Sequence, residues 1–191
     1  MLQLTDEQKE RLLELARTAL EEAVRSGKVP EAAESAEALQ TRCGAFVTLT
    51  RGGRLRGCIG HIEAVRPLHA TVRECARAAA LDDPRFDPVT PAELSSMRIE
   101  ISILSPLVDI APDEVEVGRH GLLISRGGRR GLLLPQVAEE WNWNREQFLQ
   151  ETCIKAGLPA DAWRQGARIQ AFTAQIVKEP ASLARASSTA A

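Results

Sequence analysis

The sequence predicts an α+β fold, in which a mixed, mostly antiparallel sheet is flanked by helices. Two segments, 45–60 and 118–134, share the order of an apolar strand, an Arg-Gly-Gly-Arg turn and a returning strand. Paired glycines reach the positive φ values that tight hairpin turns need, so both segments are predicted hairpins. Helices of unequal length separate the strands, which favours α+β over a doubly wound parallel sheet. No glycine-rich phosphate loop is present in the sequence.

Capping signals mark where the helices begin and end. A T-x-x-Q capping box at Thr5 predicts a helix that continues to Ser26 and stops at Gly27. Residues 28–41, rich in Ala and Glu, indicate a connector or a weak helix. The other predicted helical segments begin at Pro67, Thr90 (one short turn), Pro135 and Asn144, and the last of them ends near 155–159.

Strand periodicity appears in two further segments. Residues 98–103 alternate strictly, with isoleucines on the predicted core face and Arg98, Glu100 and Ser102 on the other. Residues 168–177 are predicted to be one final strand. We expect a single domain over 1–180, with a seam near 105–113 and a flexible tail at 181–191.

The composition narrows the class of protein. Of 191 residues, 44% are hydrophobic and 26% are charged, which is typical of a globular domain with a buried core. The formal charge of −2 argues against a nucleic-acid binder. The first residues lack the basic and apolar regions typical of a signal peptide, and no apolar run approaches about 18 residues, so we expect no signal peptide and no membrane association. The four cysteines form no CxxC pair, which favours free thiols in a reducing cytoplasm.

Cys58 is the cysteine whose setting indicates chemistry. Simple alternation along the second strand places Leu55, Gly57 and Ile59 on one face, and puts Cys58 with Arg56 on the other. A guanidinium beside a thiol favours the thiolate form. The alternative is an ordinary half-exposed cysteine on a tight hairpin, since most lone cysteines are structural.

Several long motifs resemble those of the AMMECR domain family, whose bacterial and archaeal members are called AmmeMemoRadiSam system protein A. The motifs are LRGCIGHIEAVRPL, DDPRFDPV, VGRHGLLISRGGRRGLLLPQVAEE and FLQETCIKAGLP, and the resemblance spans about 5–178. It implies a fold with a larger and a smaller lobe and an RGCIG segment beside a cleft. Gene neighbourhood in the family implies two partners, a Memo-type protein and a radical S-adenosylmethionine enzyme. The sequence itself indicates no cofactor.

Three residues are predicted to carry chemistry. Cys58, at the centre of the family's hallmark segment, is expected to act as a nucleophile or thiol acid/base. His120, in the Gly-Arg-His-Gly segment at a strand entrance, is the predicted base, and the alternative is a solvent-exposed turn histidine. Glu100 is expected to orient His120 or to act as an acid/base if its face lines the cleft. If that face meets water, Glu100 only pairs with Arg98 or another neighbour and contributes little.

Three residues are predicted to bind substrate: Arg56, Arg85 and Gln136. Arg85 either clamps a carboxylate or braces its own loop through backbone carbonyls. Gln136 opens a predicted helix, where its amide and the helix N-terminus favour an anionic group. The histidines and cysteines lack the compact spacing of a metal site. An enzyme with a reactive Cys58 is therefore the leading hypothesis, and a non-catalytic module that binds one of the two implied partners is the second.

Overall fold

The computed structural model describes residues 2–29 and 33–180. The predicted tail at 181–191 and part of the predicted connector, residues 30–32, lie outside the described residues. The chain divides into two compact units. The first contains the chain up to Ile103 and again from Gln175 onwards, and the second is Leu104–Ala174. No helix among the described residues is long and apolar enough to cross a membrane.

Helices and antiparallel strands both contribute to each unit, so the predicted α+β class is confirmed. The helices are α1 Asp6–Ser26, α2 Glu37–Gln40, α3 Leu68–Leu81, α4 Pro135–Glu140 and α5 Arg145–Lys155. The strands are β1 Ala45–Arg51, β2 Arg54–His61, β3 Met97–Leu104, β4 Val108–Asp109, β5 Gly121–Arg126, β6 Arg129–Leu133, β7 Arg168–Phe172 and β8 Ala174–Lys178.

In the first unit, a four-stranded sheet in the order β2-β1-β3-β8 is covered on one face by helices. Helix α1 opens with the predicted capping box of Thr5 and Gln8 and ends at left-handed Gly27. Its apolar stripe packs with α3 against alternate sheet residues. The fully buried core of this unit includes Leu12, Leu20, Leu49, Leu68, Val72, Ile99 and Ile101.

The second unit has its own sheet and its own core. The strand order is β4-β7-β5-β6. Helix α5 begins at the predicted Asn144 cap, whose side chain and that of Gln147 form a reciprocal capping box. The core of this unit includes Leu122, Ile124, Phe148, Leu149, Cys153 and Ile169.

The two predicted hairpins have the same turn. Gly52 and Gly53 have φ values of 57° and 77°, and Gly127 and Gly128 have φ values of 57° and 80°. Two successive positive φ values are the signature of a type I′ turn, whose twist matches that of the flanking strands. The repeated Arg-Gly-Gly-Arg pattern therefore encodes the same local structure twice.

The prediction of one strand over 168–177 is wrong. The structure has two strands there, β7 in the second unit's sheet and β8 in the first unit's sheet. The two strands are separated by Thr173. Its carbonyl accepts from the Ser105 N–H, and its own N–H donates to Ser105 Oγ, each at 2.9 Å. The apolar residues of this segment look like those of one strand, but two cores bury them. Ile169 belongs to the core of the second unit, and Val177 belongs to the core of the first.

Candidate active site around Cys58

Cys58 lies on the sheet face of the first unit that points away from the helices. In the antiparallel register it stands opposite Thr48, and the Thr48 hydroxyl donates to its Sγ at 3.2 Å. On its other side Thr48 pairs with Glu100. Cys58, Thr48 and Glu100 thus form a polar row across three strands, with about 10 Å between the outer two backbones.

A β-bulge changes the predicted alternation along β2. Leu49 pairs with Gly57 but Thr50 pairs with Leu55, so Arg56 is the extra residue. The prediction that Leu55 shares a face with Gly57 is therefore wrong, because an extra residue reverses the alternation on one side of the bulge. Leu55 is 43% exposed, whereas Gly57 is buried.

Arg56 is held by Glu93 and by backbone carbonyls. Its Nε and Nη2 atoms donate to the two Glu93 carboxylate oxygens at 2.9 and 3.2 Å. Its Nη1 donates to the Asp87 carbonyl at 2.8 Å. The guanidinium thus braces the loop that precedes β3, and its predicted role in substrate binding stays a prediction.

A buried carboxylate, Asp83, fixes the backbone at Cys58. Its side chain is only 2% exposed, and its Oδ2 accepts from the Cys58 N–H at 2.8 Å. Arg85 donates to the same carboxylate through Nε at 2.9 Å and Nη2 at 2.7 Å, and Nη2 also donates to the Cys58 carbonyl at 3.2 Å. We call Asp83 and Arg85 together the Cys58 clamp.

The clamp occupies the position of a neighbouring strand. Strand β2 lies at the edge of its sheet, and the N–H and C=O of Cys58 both point outwards to the clamp. Cys58 and Thr48 are therefore a non-hydrogen-bonded pair, in which side chains approach closely. One acceptor and one donor from the clamp satisfy the two edge groups of Cys58, which also blocks strand addition there.

Arg85, rather than Arg56, is the cation whose contact with Cys58 the structure shows. Hydrogen bonding to Asp83 raises the pKa of Arg85, and the negative charge of the Asp83 carboxylate adds to this effect. The side chain of Arg85 is 54% exposed, and its Nη1 makes no hydrogen bond with any described residue. Arg85 thus braces strand β2 through the Asp83 carboxylate and the Cys58 carbonyl rather than through carbonyls of its own loop, and Nη1 remains open to a ligand. Its predicted contact with a substrate carboxylate stays a prediction.

The other three cysteines are buried. Burial raises the pKa of Cys43 to about 11 and that of Cys75 to about 12, and it also raises the pKa of Cys153. Cys75 and Cys153 are core residues, as their helical stripes predict. Cys58 is the half-buried exception.

Glu100 pairs with a cation from the next strand. Its Oε2 lies 2.8 Å from Nζ of Lys178, whose side chain is 64% exposed. This ion pair continues the polar row of Thr48 and Cys58 onto β8. A role for Glu100 as an acid/base requires that this pair open, and it stays a prediction.

His120 and Gln136 belong to the second unit. His120 Nδ1 accepts from the Glu116 N–H at 3.1 Å. The neutral ring therefore carries its proton on Nε2, which makes that nitrogen a donor. A role as general base requires that the bond to Glu116 break. Gln136 is the second residue of α4, and its predicted contact with an anion stays a prediction.

Asp83 is the residue that the sequence interpretation missed. A local signal is present, because Asp83 precedes a proline and its Oδ1 accepts from the Arg85 N–H at 3.1 Å, as in an Asx turn. Its contact with Cys58 spans 25 residues, which no local pattern encodes. Within residues 2–29 and 33–180, no group of three or more His, Cys, Asp or Glu side chains could hold a metal ion.

Most of the chain, residues 13–177, matches the protein-family model described as AMMECR1. The chain belongs to the AMMECR1 family. This AMMECR1-family chain is 44% identical to a protein of Methanothermobacter thermautotrophicus, with 88% of the chain and 92% of the relative covered. It is 45% identical to a protein of Thermococcus kodakarensis, with 94% of each covered.

A solved AMMECR1-family structure has a similar fold. It is uncharacterized protein PH0010 from Pyrococcus horikoshii, which is 42% identical to this chain with a TM-score of 0.85. The match covers 92% of this chain and 93% of PH0010. Family membership therefore establishes the fold, whereas the chemistry has to be argued from the residues around Cys58.

The ion pair between Arg56 and Glu93 gives a first prediction. Replacing Glu93 by Gln is expected to lower the free energy of unfolding by about 2 kcal/mol at neutral pH, because it removes one half of a mostly buried ion pair. Hydrogen bonds from Arg56 and from Thr90 lower the pKa of Glu93 to about 2 from 4.5. Its stabilising effect is present above pH 4.5 and is lost as the pH falls towards 2. Urea unfolding across this range should show the difference between Glu93→Gln and the wild type vanishing.

Proposed function

We propose that this AMMECR1-family chain acts on a small-molecule substrate through Cys58, as a nucleophile or thiol acid/base. One observation carries the proposal: Cys58 alone among the four cysteines is not buried, and the clamp fixes its backbone on both sides. A reacting group benefits from such preorganisation, because no reorganisation is needed when substrate binds.

The contacts of Cys58 fit attack on an electrophilic carbon. The Thr48 hydroxyl donates to Sγ at 3.2 Å, which stabilises a thiolate before it reacts. Attack on a carbonyl forms an S–C bond and moves the carbonyl π electrons onto oxygen. Nη1 of Arg85 is a donor for that oxygen, since the other guanidinium nitrogens are already engaged by Asp83. The base that first accepts the thiol proton would be Glu100, which shares the polar row of Cys58, after its release from Lys178.

Selective alkylation tests the proposal. In the native protein, iodoacetamide is expected to modify Cys58 and to leave Cys43, Cys75 and Cys153 intact until urea unfolds the chain, because those three are buried. Peptide mass spectrometry at successive times gives the rate for each thiol. A Thr48→Val variant keeps the shape of the side chain but removes the donor, and it should slow the modification of Cys58 severalfold without unfolding the protein. If Cys58 in the native protein does not react while a free model thiol reacts fully, the proposal is wrong.

A second candidate function is that of a non-catalytic module that binds a Memo-type or radical S-adenosylmethionine protein. One contact favours this candidate. The group that hydrogen-bonds to Cys58 Sγ is the Thr48 hydroxyl, which is a donor and not a base that could accept the thiol proton. Calorimetric titration of each purified partner into the wild type and into Cys58→Ser would separate the two functions. Equal binding by both proteins supports the module, and the absence of heat with either partner rejects it.

A further inference from the structure

An indole protrudes from the second unit immediately after α4. Trp141 is 68% exposed. One face of its ring stacks on Trp143, with centroids 6.1 Å apart and planes at 16°. Between them Asn142 has a φ of 51°, an uncommon conformation for a residue other than glycine. The indole is thus held in place on one face and open on the other, as in an interface anchor.

Two carboxylates lie directly before this indole in the chain. Glu139 and Glu140 are both exposed, and neither forms an ion pair with a side chain among the described residues. The surface formed by Glu139, Glu140 and Trp141 is therefore aromatic and negatively charged. We call it the indole knob.

The same unit carries a surface of the opposite character at the tip of the β5–β6 hairpin. An open groove of about 400 Å³ lies there, and we call it the arginine groove. Its lining residues are Ser125, Arg126, Gly127, Gly128, Arg129 and Arg130.

Two features of the arginine groove suit a flat aromatic ring. No atom lies within 4 Å of where a side chain would begin at Gly127 or Gly128, so the floor of the groove is open backbone. The Arg126 side chain is exposed and makes no ion pair or hydrogen bond with any described residue. A guanidinium stacks readily on an indole face, as Arg164 does on Trp163 at 4.5 Å in this same unit.

We propose that the chain associates with a second copy of itself, by insertion of the indole knob of one copy into the arginine groove of the other. Size and charge both support this occupant. A groove of about 400 Å³ exceeds the volume of one indole side chain. Glu139 and Glu140 would meet Arg126 and Arg129, and electrostatic complementarity of this kind orients partners. The contact is heterologous, because knob and groove are different surfaces.

Sedimentation velocity of the full chain across the micromolar range tests this inference. The wild type should shift from monomer towards dimers and larger oligomers as concentration rises, because each copy that joins leaves one knob and one groove free. Trp141→Ala, which loses the knob, and an Arg126→Ala/Arg129→Ala variant, which loses the groove, should each associate at least about tenfold more weakly. Arg54→Ala removes the same kind of charge from the other Arg-Gly-Gly-Arg hairpin and should behave as wild type.

A mixing experiment makes the test specific to a knob in a groove. The knob-less variant keeps an intact groove, and the groove-less variant keeps an intact knob, so an equimolar mixture should form a mixed dimer that neither forms alone. Circular dichroism confirms that both variants fold. A wild type that stays monomeric throughout, or association that survives loss of both surfaces, would overturn the inference. Because Cys58 takes no part, the result does not depend on the proposed function.

Discussion

Replacement of Asp83 by alanine is expected to lower the free energy of unfolding by about 3 kcal/mol at neutral pH. The carboxylate is almost fully buried and accepts hydrogen bonds from the Cys58 N–H, from the Arg85 N–H and from two guanidinium nitrogens. Alanine removes every one of these acceptors and leaves the Cys58 N–H without its partner on the protein. Urea unfolding at neutral pH measures the loss.

The neighbouring residue supplies a matched control. Asp82 pairs with Arg77, but its side chain is 50% exposed. Replacement of Asp82 by alanine should change stability by less than about 1 kcal/mol, because exposed ion pairs contribute little. Comparable losses for the two variants would show that the clamp has no special importance.

The clamp should also make stability depend on pH in a defined direction. The Arg85 guanidinium, aided by the N–H groups of Cys58 and Arg85, holds the pKa of Asp83 well below its usual range. A lowered folded-state pKa stabilises the protein above the unfolded value of about 3.9 and loses that effect as the pH falls further. Wild-type stability should therefore fall more steeply below about pH 4 than that of an Asp83→Asn variant. Parallel curves would contradict the assignment.

Local signals predicted the elements on which the site is built. The Thr5 and Asn144 capping boxes and both glycine hairpins are encoded within a few residues, so the sequence specifies them directly. The position of Cys58 on an exposed strand could be predicted for the same reason. Its polar neighbour Thr48 could not, because a turn at Gly52 and Gly53 with unbroken register would pair Thr48 with Gly57.

The remaining features depend on contacts between distant segments. Simple alternation could not reveal that Arg56 is a bulge residue, because strict period two assumes an unbroken register. The Arg56 side chain instead donates to Glu93, which is 37 residues away in the sequence, and the guanidinium that contacts Cys58 is that of Arg85. Likewise the strand over 168–177 divides because two different cores bury its apolar residues.

Gly57 gives the second large prediction, because it lets β2 lie directly against the backbone of α3. A Cβ added at Gly57 would be 2.0 Å from the carbonyl oxygen of Ala79 and 3.0 Å from its carbonyl carbon. Both atoms belong to the main chain, so no side chain can rotate away. Gly57→Ala is expected to lower the free energy of unfolding by about 3 kcal/mol, at the upper end for overpacked sites.

Gly53→Ala separates this steric effect from the conformational effect of losing a glycine. Gly53 has a φ of 77° with no atom within 4 Å of its missing Cβ, so alanine there should lose only about 1 kcal/mol. Gly57 has no positive φ, and its larger loss would come from the collision with α3 alone. Since Gly57 adjoins Cys58, displacement of β2 should also pull the Cys58 N–H from Asp83 and change the rate of Cys58 alkylation. A Gly57→Ala protein with wild-type stability and wild-type alkylation would show that β2 moves freely against α3, and that the clamp follows Cys58 rather than fixing it.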